Sequence, residues 1–204
     1  MTQPLNREVQ LPEIGEVDKD AGEFWVANPL DLPSLGENLS AYERNKLFLN
    51  VDGSRFVDAS FASSADIDSD SRSVIATDID RDGSVDLLVA SAGGGTLRVF
   101  SNKLSQGNRL EIRLKGVKSN RQGIGSRIVA EFGDRKITRD LFPQNGFMGI
   151  GPAEVFLGVG NAQKIDRLTI RWPSGVTQEL KDVEVNRGVL IEEENSEITT
   201  VRKF

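Results

Sequence analysis

The chain has 204 residues, of which 38% are hydrophobic and 27% are charged. This composition is typical of a soluble globular protein with one ordinary domain or two small ones. Histidine and cysteine are both absent, which excludes Ser-His-Asp triads, thiol nucleophiles, disulfides and the usual zinc sites. A bound metal must therefore have oxygen ligands, and acid–base catalysis would fall to carboxylates, lysines or Tyr42. No apolar run approaches the ~20 residues of a membrane span, so we expect no transmembrane segment.

The N-terminal segment, residues 1–43, is predicted to be an irregular extension. Repeated proline and glycine interrupt any long element. Phe24 and Trp25 are the expected anchors to the body of the protein, and Ser40–Glu43 matches a capping box that favours one short helical turn. The segment lacks the apolar core of a signal peptide.

From Lys46 onward the sequence predicts an all-β chain, because no segment keeps a helical period over three turns. Residues 47–51 and 54–57 flank Asp52-Gly53 and are expected to form a hairpin. Further strands are expected at 73–77, 85–90, 96–101, 109–115, 125–132, 135–141, 153–158, 165–172, 176–180 and 188–193. Short strands separated by Gly-rich polar turns are typical of a sandwich or barrel.

The segment from Asp78 to Asp86 reads Asp-Ile-Asp-Arg-Asp-Gly-Ser-Val-Asp. Ca²⁺ takes six to eight oxygen ligands at about 2.3–2.6 Å, and carboxylates alternating along a tight loop supply them. Gly83 permits the sharp turn. The candidate ligands are Asp78, Asp80, Asp82, the backbone carbonyl of Ser84, and Asp86. The loop is not an EF-hand, because Val89 stands where the bidentate Glu would be and the flanking segments are β-formers.

Two alternatives remain open for the acidic segments. Asp and Gly are also ordinary turn residues, so the loop could be a bare polar turn, although four carboxylates packed without a cation would repel one another. A second alternating series, Asp66, Asp68 and Asp70, could complete the same ion site, form a second one, or be solvated. Ser71 replaces the expected glycine there, which disfavours a complete second site.

The charge is unevenly distributed, with an acidic first half and a basic segment at 103–139. Its bases alternate with apolar residues, as on the solvent face of a strand, and aromatic platforms for nucleic acid are missing. We therefore expect it to lie beside the acidic half and not to bind nucleic acid. Trp172 could be an exposed sugar platform, but Pro173-Ser-Gly175 predicts a turn, with Trp172 at a strand end facing the core.

Two groups of motifs resemble known families. The first comprises Arg44–Asn50, Gly53–Phe56, Asp78–Asp86 and Leu97–Asn102, and it is similar to an FG-GAP/VCBS repeat, a propeller blade with a calcium loop between two strands. The second comprises Ser119–Arg121, Ile124–Arg127, Phe156–Gly160 and Ile165–Gly175. It resembles the ASPIC/UnbV domain, which follows such repeats in the cartilage acidic protein family and in bacterial surface proteins.

The resemblance implies three segments: an extension at 1–43, one blade-like calcium-binding repeat at 44–102, and an ASPIC/UnbV-like β domain at 103–204. One blade cannot close a propeller, so the repeat is expected to pack on the β domain or on another chain. The implied function is a non-enzymatic calcium-binding module for adhesion, protein interaction or assembly, with no catalytic residues. A protein partner or self-association is expected, with a glycan as a further ligand.

The resemblance also implies an extracellular, cell-surface or periplasmic location, with a cytoplasmic one as the alternative. An alternative function is a carboxylate-based enzyme such as a glycosidase, which needs only two acids. A related alternative is an accessory protein of a biosynthetic pathway, since UnbV-type sequences resemble proteins encoded near enediyne genes.

Overall fold

The computed structural model describes residues 44–51, 53–67, 71–91, 96–104, 107–146 and 149–204. These described residues are all-β and contain no helix, which confirms the predicted fold class. The N-terminal extension at 1–43, with its expected aromatic anchors and helical turn, lies outside the described residues.

Fifteen strands occur in the described part of the chain. They are β1 (Phe48–Val51), β2 (Arg55–Asp58), β3 (Ser71–Thr77), β4 (Asp86–Ser91), β5 (Arg98–Phe100), β6 (Asn108–Lys115), β7 (Arg127–Phe132), β8 (Arg135–Asp140), β9 (Gln144–Asn145), β10 (Gly149–Ile150), β11 (Glu154–Gly160), β12 (Lys164–Arg171), β13 (Thr177–Glu184), β14 (Arg187–Glu192) and β15 (Ile198–Lys203). Every predicted strand is present, with ends that coincide or are shifted by up to four residues. Three strands were not predicted from the sequence: β9, β10 and β15.

The chain divides into two compact units. The first includes the described residues up to Ser71 and those of segment 90–97. It contains the predicted hairpin, in which β1 pairs antiparallel with β2. The turn is closed by the Ser54 amide, which donates to the Val51 carbonyl at 3.0 Å. Gly53 takes a φ of +71° there, a backbone conformation that glycine adopts without strain.

The second unit comprises Arg72–Val89 and Arg98–Phe204. It contains most of a three-stranded sheet of order β3-β4-β5, in which the acidic loop connects β3 to β4. It also contains two four-stranded sheets, of order β11-β6-β14-β15 and β13-β12-β7-β8. In the first of these, β6 and β14 run parallel and the other pairs are antiparallel.

The two four-stranded sheets form a sandwich around one hydrophobic core. Alternate residues of β6 point inward (Leu110, Ile112 and Leu114) and join Ile128, Leu168 and Ile170 of the other sheet in a single buried cluster. Trp172 belongs to this cluster and is only 2% exposed, which confirms the core prediction for its side chain. The prediction left sandwich and barrel open, and no sheet among the described residues closes into a barrel.

The turn after β12 is fixed by two buried polar side chains. The Trp172 indole donates to Gln178 Oε1 at 2.9 Å, and the Gly175 amide donates to the Trp172 carbonyl at 3.0 Å. Glu193 is 3% exposed and accepts hydrogen bonds from the Ser174 hydroxyl and from the loop that follows β6. The Trp-Pro-Ser-Gly segment is therefore a structural turn of the sandwich.

Candidate metal centre

The acidic loop is folded by its own carboxylates. Oδ2 of Asp78 accepts the Gly83 amide at 2.9 Å, and Oδ2 of Asp86 accepts the Ile79 amide at 3.0 Å. Oδ1 of Asp82 accepts the Ser84 amide at 2.7 Å. These bonds bend the backbone inward and bring carboxylates from the first and ninth loop positions together.

Three of the predicted ligands form one cluster. Asp78, Asp80 and Asp86 each offer a carboxylate oxygen, and these oxygens lie within 4.8 Å of one another. Two oxygens on opposite sides of a calcium ion would be about 4.6–5.2 Å apart, given Ca–O distances of about 2.3–2.6 Å. The three carboxylates are therefore close enough to share one ion of this size.

The remaining predicted ligands are placed differently. Asp82 is not part of the three-carboxylate cluster, and Ser84 is buried with its amide directed at Asp82. Asp66 lies in the first unit, where it pairs with Arg44 at 3.4 Å. Asp68 and Asp70 lie outside the described residues.

Asp78 is the deepest member of the cluster. Its side chain is fully buried, and its Oδ2 pairs with the Arg202 guanidinium at 3.0 Å in addition to the Gly83 amide. Within the described part of the chain, its Oδ1 is buried and has no hydrogen-bond partner. A buried polar oxygen without a partner is costly, so this atom is a candidate ligand for a cation.

Arg202 connects the loop to the outer face of the sandwich. Its Nε donates to Oε2 of Glu111 at 2.6 Å, and Glu111 is completely buried. Arg113 donates to Oε1 of Glu111 at 2.8 Å and to Glu154 at 3.0 Å. These side chains lie on the face of the sheet opposite the hydrophobic core, because core and outward residues alternate along β6.

The network returns to the loop through the residue before Asp78. The Thr77 hydroxyl donates to Oε1 of Glu154 at 2.6 Å, which closes a ring of side chains. In this ring the guanidiniums of Arg202 and Arg113 hold the carboxyl groups of Asp78, Glu111 and Glu154.

Gly188 makes the contact between strands possible. It lies on β14, opposite Glu111 of β6 on one side and Arg202 of β15 on the other. A Cβ at this position would be 2.8 Å from Oε2 of Glu111 and 2.8 Å from Cγ of Arg202. The missing side chain therefore lets the two charged groups meet across the intervening strand.

The end of β15 also packs on the loop. Gly83 has a φ of +84°, and a Cβ there would be 2.6 Å from the Phe204 ring. Arg109 and Arg202 lie over that ring at 5.7 Å and 5.1 Å from its centroid, and Arg109 donates to the Asp82 carbonyl. Glycine is thus required both by the turn and by the close approach of the aromatic side chain.

The outer carboxylates are paired with a lysine. Nζ of Lys103 is 3.0 Å from Oδ2 of Asp80 and 3.6 Å from Oδ2 of Asp82. The hydrogen bond that Lys103 donates to Asp80 raises the pKa of Lys103, and hydrogen bonds from Ser84 lower the pKa of Asp82. The carboxylates on the open side of the loop are therefore already paired with a side-chain cation, the Lys103 ammonium.

Asp86 differs from the other acids because both of its oxygens accept backbone amides. Oδ1 accepts the Asn102 amide at 2.8 Å and Oδ2 accepts the Ile79 amide. Asp86 is 2% exposed. The remaining lone pairs of this carboxylate can still coordinate an ion, since a carboxylate has about four acceptor sites.

The basic segment is largely neutralised by acids of the same unit. Lys115 pairs with Glu192 at 2.9 Å, and Arg127 pairs with Asp140 at 2.7 Å. The predicted proximity to the acidic first half applies to Lys103 and Arg109, which contact the acidic loop. Most other partners come from the sandwich itself.

Five residues that contact the loop or its ligands were not predicted from the sequence: Lys103, Glu111, Gly188, Arg202 and Phe204. No local pattern marks them, because they are spread along the chain and come together only in the folded structure.

The fold and the site define the class of protein: an all-β chain whose sandwich carries a carboxylate loop on the outer face of one sheet. Residues 116–198 match the ASPIC and UnbV family model. The matched region covers β7 to β14 and ends at the first residue of β15, so the acidic loop and β6 lie outside it. Comparison with curated proteins finds no match. No helix in the described ranges is long and apolar enough to cross a membrane.

Proposed function

We propose that this chain is a non-enzymatic calcium-binding β module whose ion stabilises the loop between β3 and β4. The observation that carries the proposal is Oδ1 of Asp78, which is buried, has no hydrogen-bond partner in the described part of the chain, and belongs to the cluster with Asp80 and Asp86. An all-oxygen donor set of carboxylates suits a hard cation such as Ca²⁺.

The ion would have a structural role. Asp78, Asp80 and Asp86 would hold it, with Asp82 and the Ser84 carbonyl as further donors after a small adjustment of the loop. Binding only the folded loop, it would stabilise the protein by mass action, by about 2.7 kcal/mol at a free concentration of 100 Kd. The resemblance of this loop to the FG-GAP/VCBS repeat supports the same role.

The absence of enzymatic activity is part of the proposal. Three buried carboxylates of the second unit are engaged in the folded state, Glu111 and Glu154 by guanidiniums and Glu193 by amides and hydroxyls. Such carboxylates serve as structural acceptors, whereas a general acid or base needs an exchangeable proton close to a substrate.

The proposal extends to a partner. In the first unit Phe48, Phe56 and Phe61 are 54%, 70% and 87% exposed. Phe48 and Phe56 lie on the two-stranded hairpin and Phe61 in the turn after it, and such exposed aromatic side chains favour association with another protein or a second copy. Adhesion or assembly at a cell surface, outside the cytoplasm, is the setting that the ASPIC/UnbV resemblance favours, and a glycan could be a further ligand there.

Isothermal titration of chelator-treated protein with CaCl₂ tests the calcium site. We expect heat from one saturable site and a rise in melting temperature, both strongly reduced by Asp80→Asn. Asp80 is chosen because its side chain is 44% exposed, so its loss leaves the fold intact. Asp134→Asn, in the turn between β7 and β8, is the matched control and should bind like the wild type. If the wild-type protein gives no heat and no melting shift, the proposal is wrong.

A further inference from the structure

Arg202 and Lys103 both pair with carboxylates of the acidic loop, and they are held very differently. Arg202 is 18% exposed and contacts both Asp78 and the buried Glu111. Lys103 is 68% exposed and contacts Asp80 and Asp82, whose side chains are 44% and 40% exposed. Arg202 is therefore fixed by packing, whereas the exposed Lys103 can move away from the carboxylates.

Lys103 is nevertheless kept at the site by its neighbour. The Asn102 amide donates to Oδ1 of Asp86 at 2.8 Å, and its side chain donates to the Val85 carbonyl at 3.1 Å. The backbone of residue 102 is thus tied to the base of the loop. The lysine therefore extends from a fixed point next to the carboxylates.

The ammonium group occupies oxygens that a calcium ion would use. Nζ lies 3.0 Å from Oδ2 of Asp80, one of the three clustered acids. A divalent ion bound there would take over that carboxylate and would repel the ammonium at short range. Oδ1 of Asp78, in contrast, has no cation or donor within the described residues and stays available to the ion.

From this arrangement we infer that Lys103 is a competing counter-ion that sets the calcium affinity of the loop. The inference rests on the proposed function and deepens it. In the metal-free state the ammonium neutralises the outer carboxylates and keeps them ordered. Calcium binding is an exchange in which the ammonium leaves Asp80 and Asp82 as the ion enters, while Arg202 stays on Asp78.

The test compares CaCl₂ titrations of Lys103→Met and the wild type at low and high salt. An exposed ion pair competes only weakly with the ion, and relief of repulsion by the bound ion adds to the gain. We therefore expect Lys103→Met to bind Ca²⁺ about three- to ten-fold more tightly. The gain should shrink with added NaCl, because salt screens exposed charges. Lys103→Arg keeps the charge and should bind like the wild type.

Lys118→Met is the matched control, because Lys118 forms an equally exposed pair with Glu194 at 2.7 Å. It should leave the affinity unchanged. A second measurement needs no titration: without calcium, Lys103→Met should melt at a lower temperature than the wild type, and excess Ca²⁺ should remove the difference.

These measurements distinguish the proposed calcium site from the proposed role of Lys103. Wild-type protein that binds no Ca²⁺ overturns the proposed function, and this inference with it. Wild-type protein that binds Ca²⁺ as tightly as Lys103→Met, or more tightly, overturns only the role of Lys103. An equal gain in Lys118→Met would show a general effect of net charge and would also overturn it.

Discussion

Glu193 offers the sharpest test of how the sandwich is held together. Its Oε2 accepts the amides of Val117, Lys118 and Ser119 at 2.7, 2.7 and 2.8 Å. Its Oε1 accepts the hydroxyls of Ser119 and Ser174. A single buried carboxylate therefore joins the loop after β6 to the turn after β12. Replacing it by Gln presents an amide NH₂ where one oxygen is required.

The pKa of Glu193 gives the size of the effect. Burial raises this pKa, but the hydrogen bonds from Ser174, Ser119 and Val117 outweigh it, so that the pKa falls from 4.5 to about 2. This difference corresponds to at most roughly 3 kcal/mol of stability at neutral pH. Because the folded-state pKa is the lower one, the stabilisation is complete above about pH 5 and is lost as the pH falls toward 2.

We therefore expect Glu193→Gln to lower the free energy of unfolding by about 2–3 kcal/mol at pH 7. At pH 3 the difference in the free energy of unfolding between the variant and the wild type should narrow to about 1–1.5 kcal/mol. Urea unfolding measures both values through Trp172 fluorescence. The only other tryptophan is Trp25, so a Trp25→Phe background makes Trp172 the sole indole.

Glu192→Gln is the control, because Glu192 forms only an exposed pair with Lys115 at 2.9 Å. Its loss should cost about 0.5 kcal/mol or less. The reasoning about Glu193 fails if its variant is no less stable than this control, or if its stability falls with pH as steeply as that of the wild type.

Two further predictions concern the outer sheet face and the solution state. Gly188→Ala should lower the free energy of unfolding by about 1–3 kcal/mol, because the new Cβ would push Glu111 away from Arg202. The control is Gly158→Ala, where a Cβ meets no atom within 4 Å. If urea unfolding shows equal effects for the two variants, this explanation is refuted. Sedimentation of the wild type with Ca²⁺ and with EDTA should show association in at least one condition, and a monomer in both would contradict self-association.

Much of the fold could be predicted from the alternation of side chains. Strands such as β6 and β12 have an apolar residue at nearly every second position, and this period is visible without any partner. β15 was missed because its sequence, Ile-Thr-Thr-Val-Arg-Lys, has no apolar face of its own. It is an edge strand whose Ile198 packs against the core and whose Arg202 contacts Glu111 and Asp78, so only tertiary contacts explain it.

The candidate site was predictable only in its local part. The spacing of Asp78, Asp80 and Asp86 brings their oxygens together because the loop closes on its own amides. Asp82 was expected to be equivalent to them, but it is outside the cluster, and its carboxylate contacts the Ser84 amide and Lys103. The spacing of the acids predicts which carboxylates can approach a shared ion. Competition from nearby hydrogen-bond donors then decides which of them join the cluster.

The carboxylate of Asp78 belongs to two systems at once. One oxygen is part of the ion-pair network that reaches Glu111 through Arg202, and the other has no hydrogen-bond partner among the residues that the structure describes. Neither Glu111 nor Arg202 falls within residues 116–198. The family match therefore covers most of the sandwich but not the ion-pair network that contacts the loop. Recognising the β domain therefore does not by itself predict an ion site. The proposed site depends on a loop with an inward carboxylate, on the guanidinium of Arg202, and on a glycine between that guanidinium and the buried glutamate.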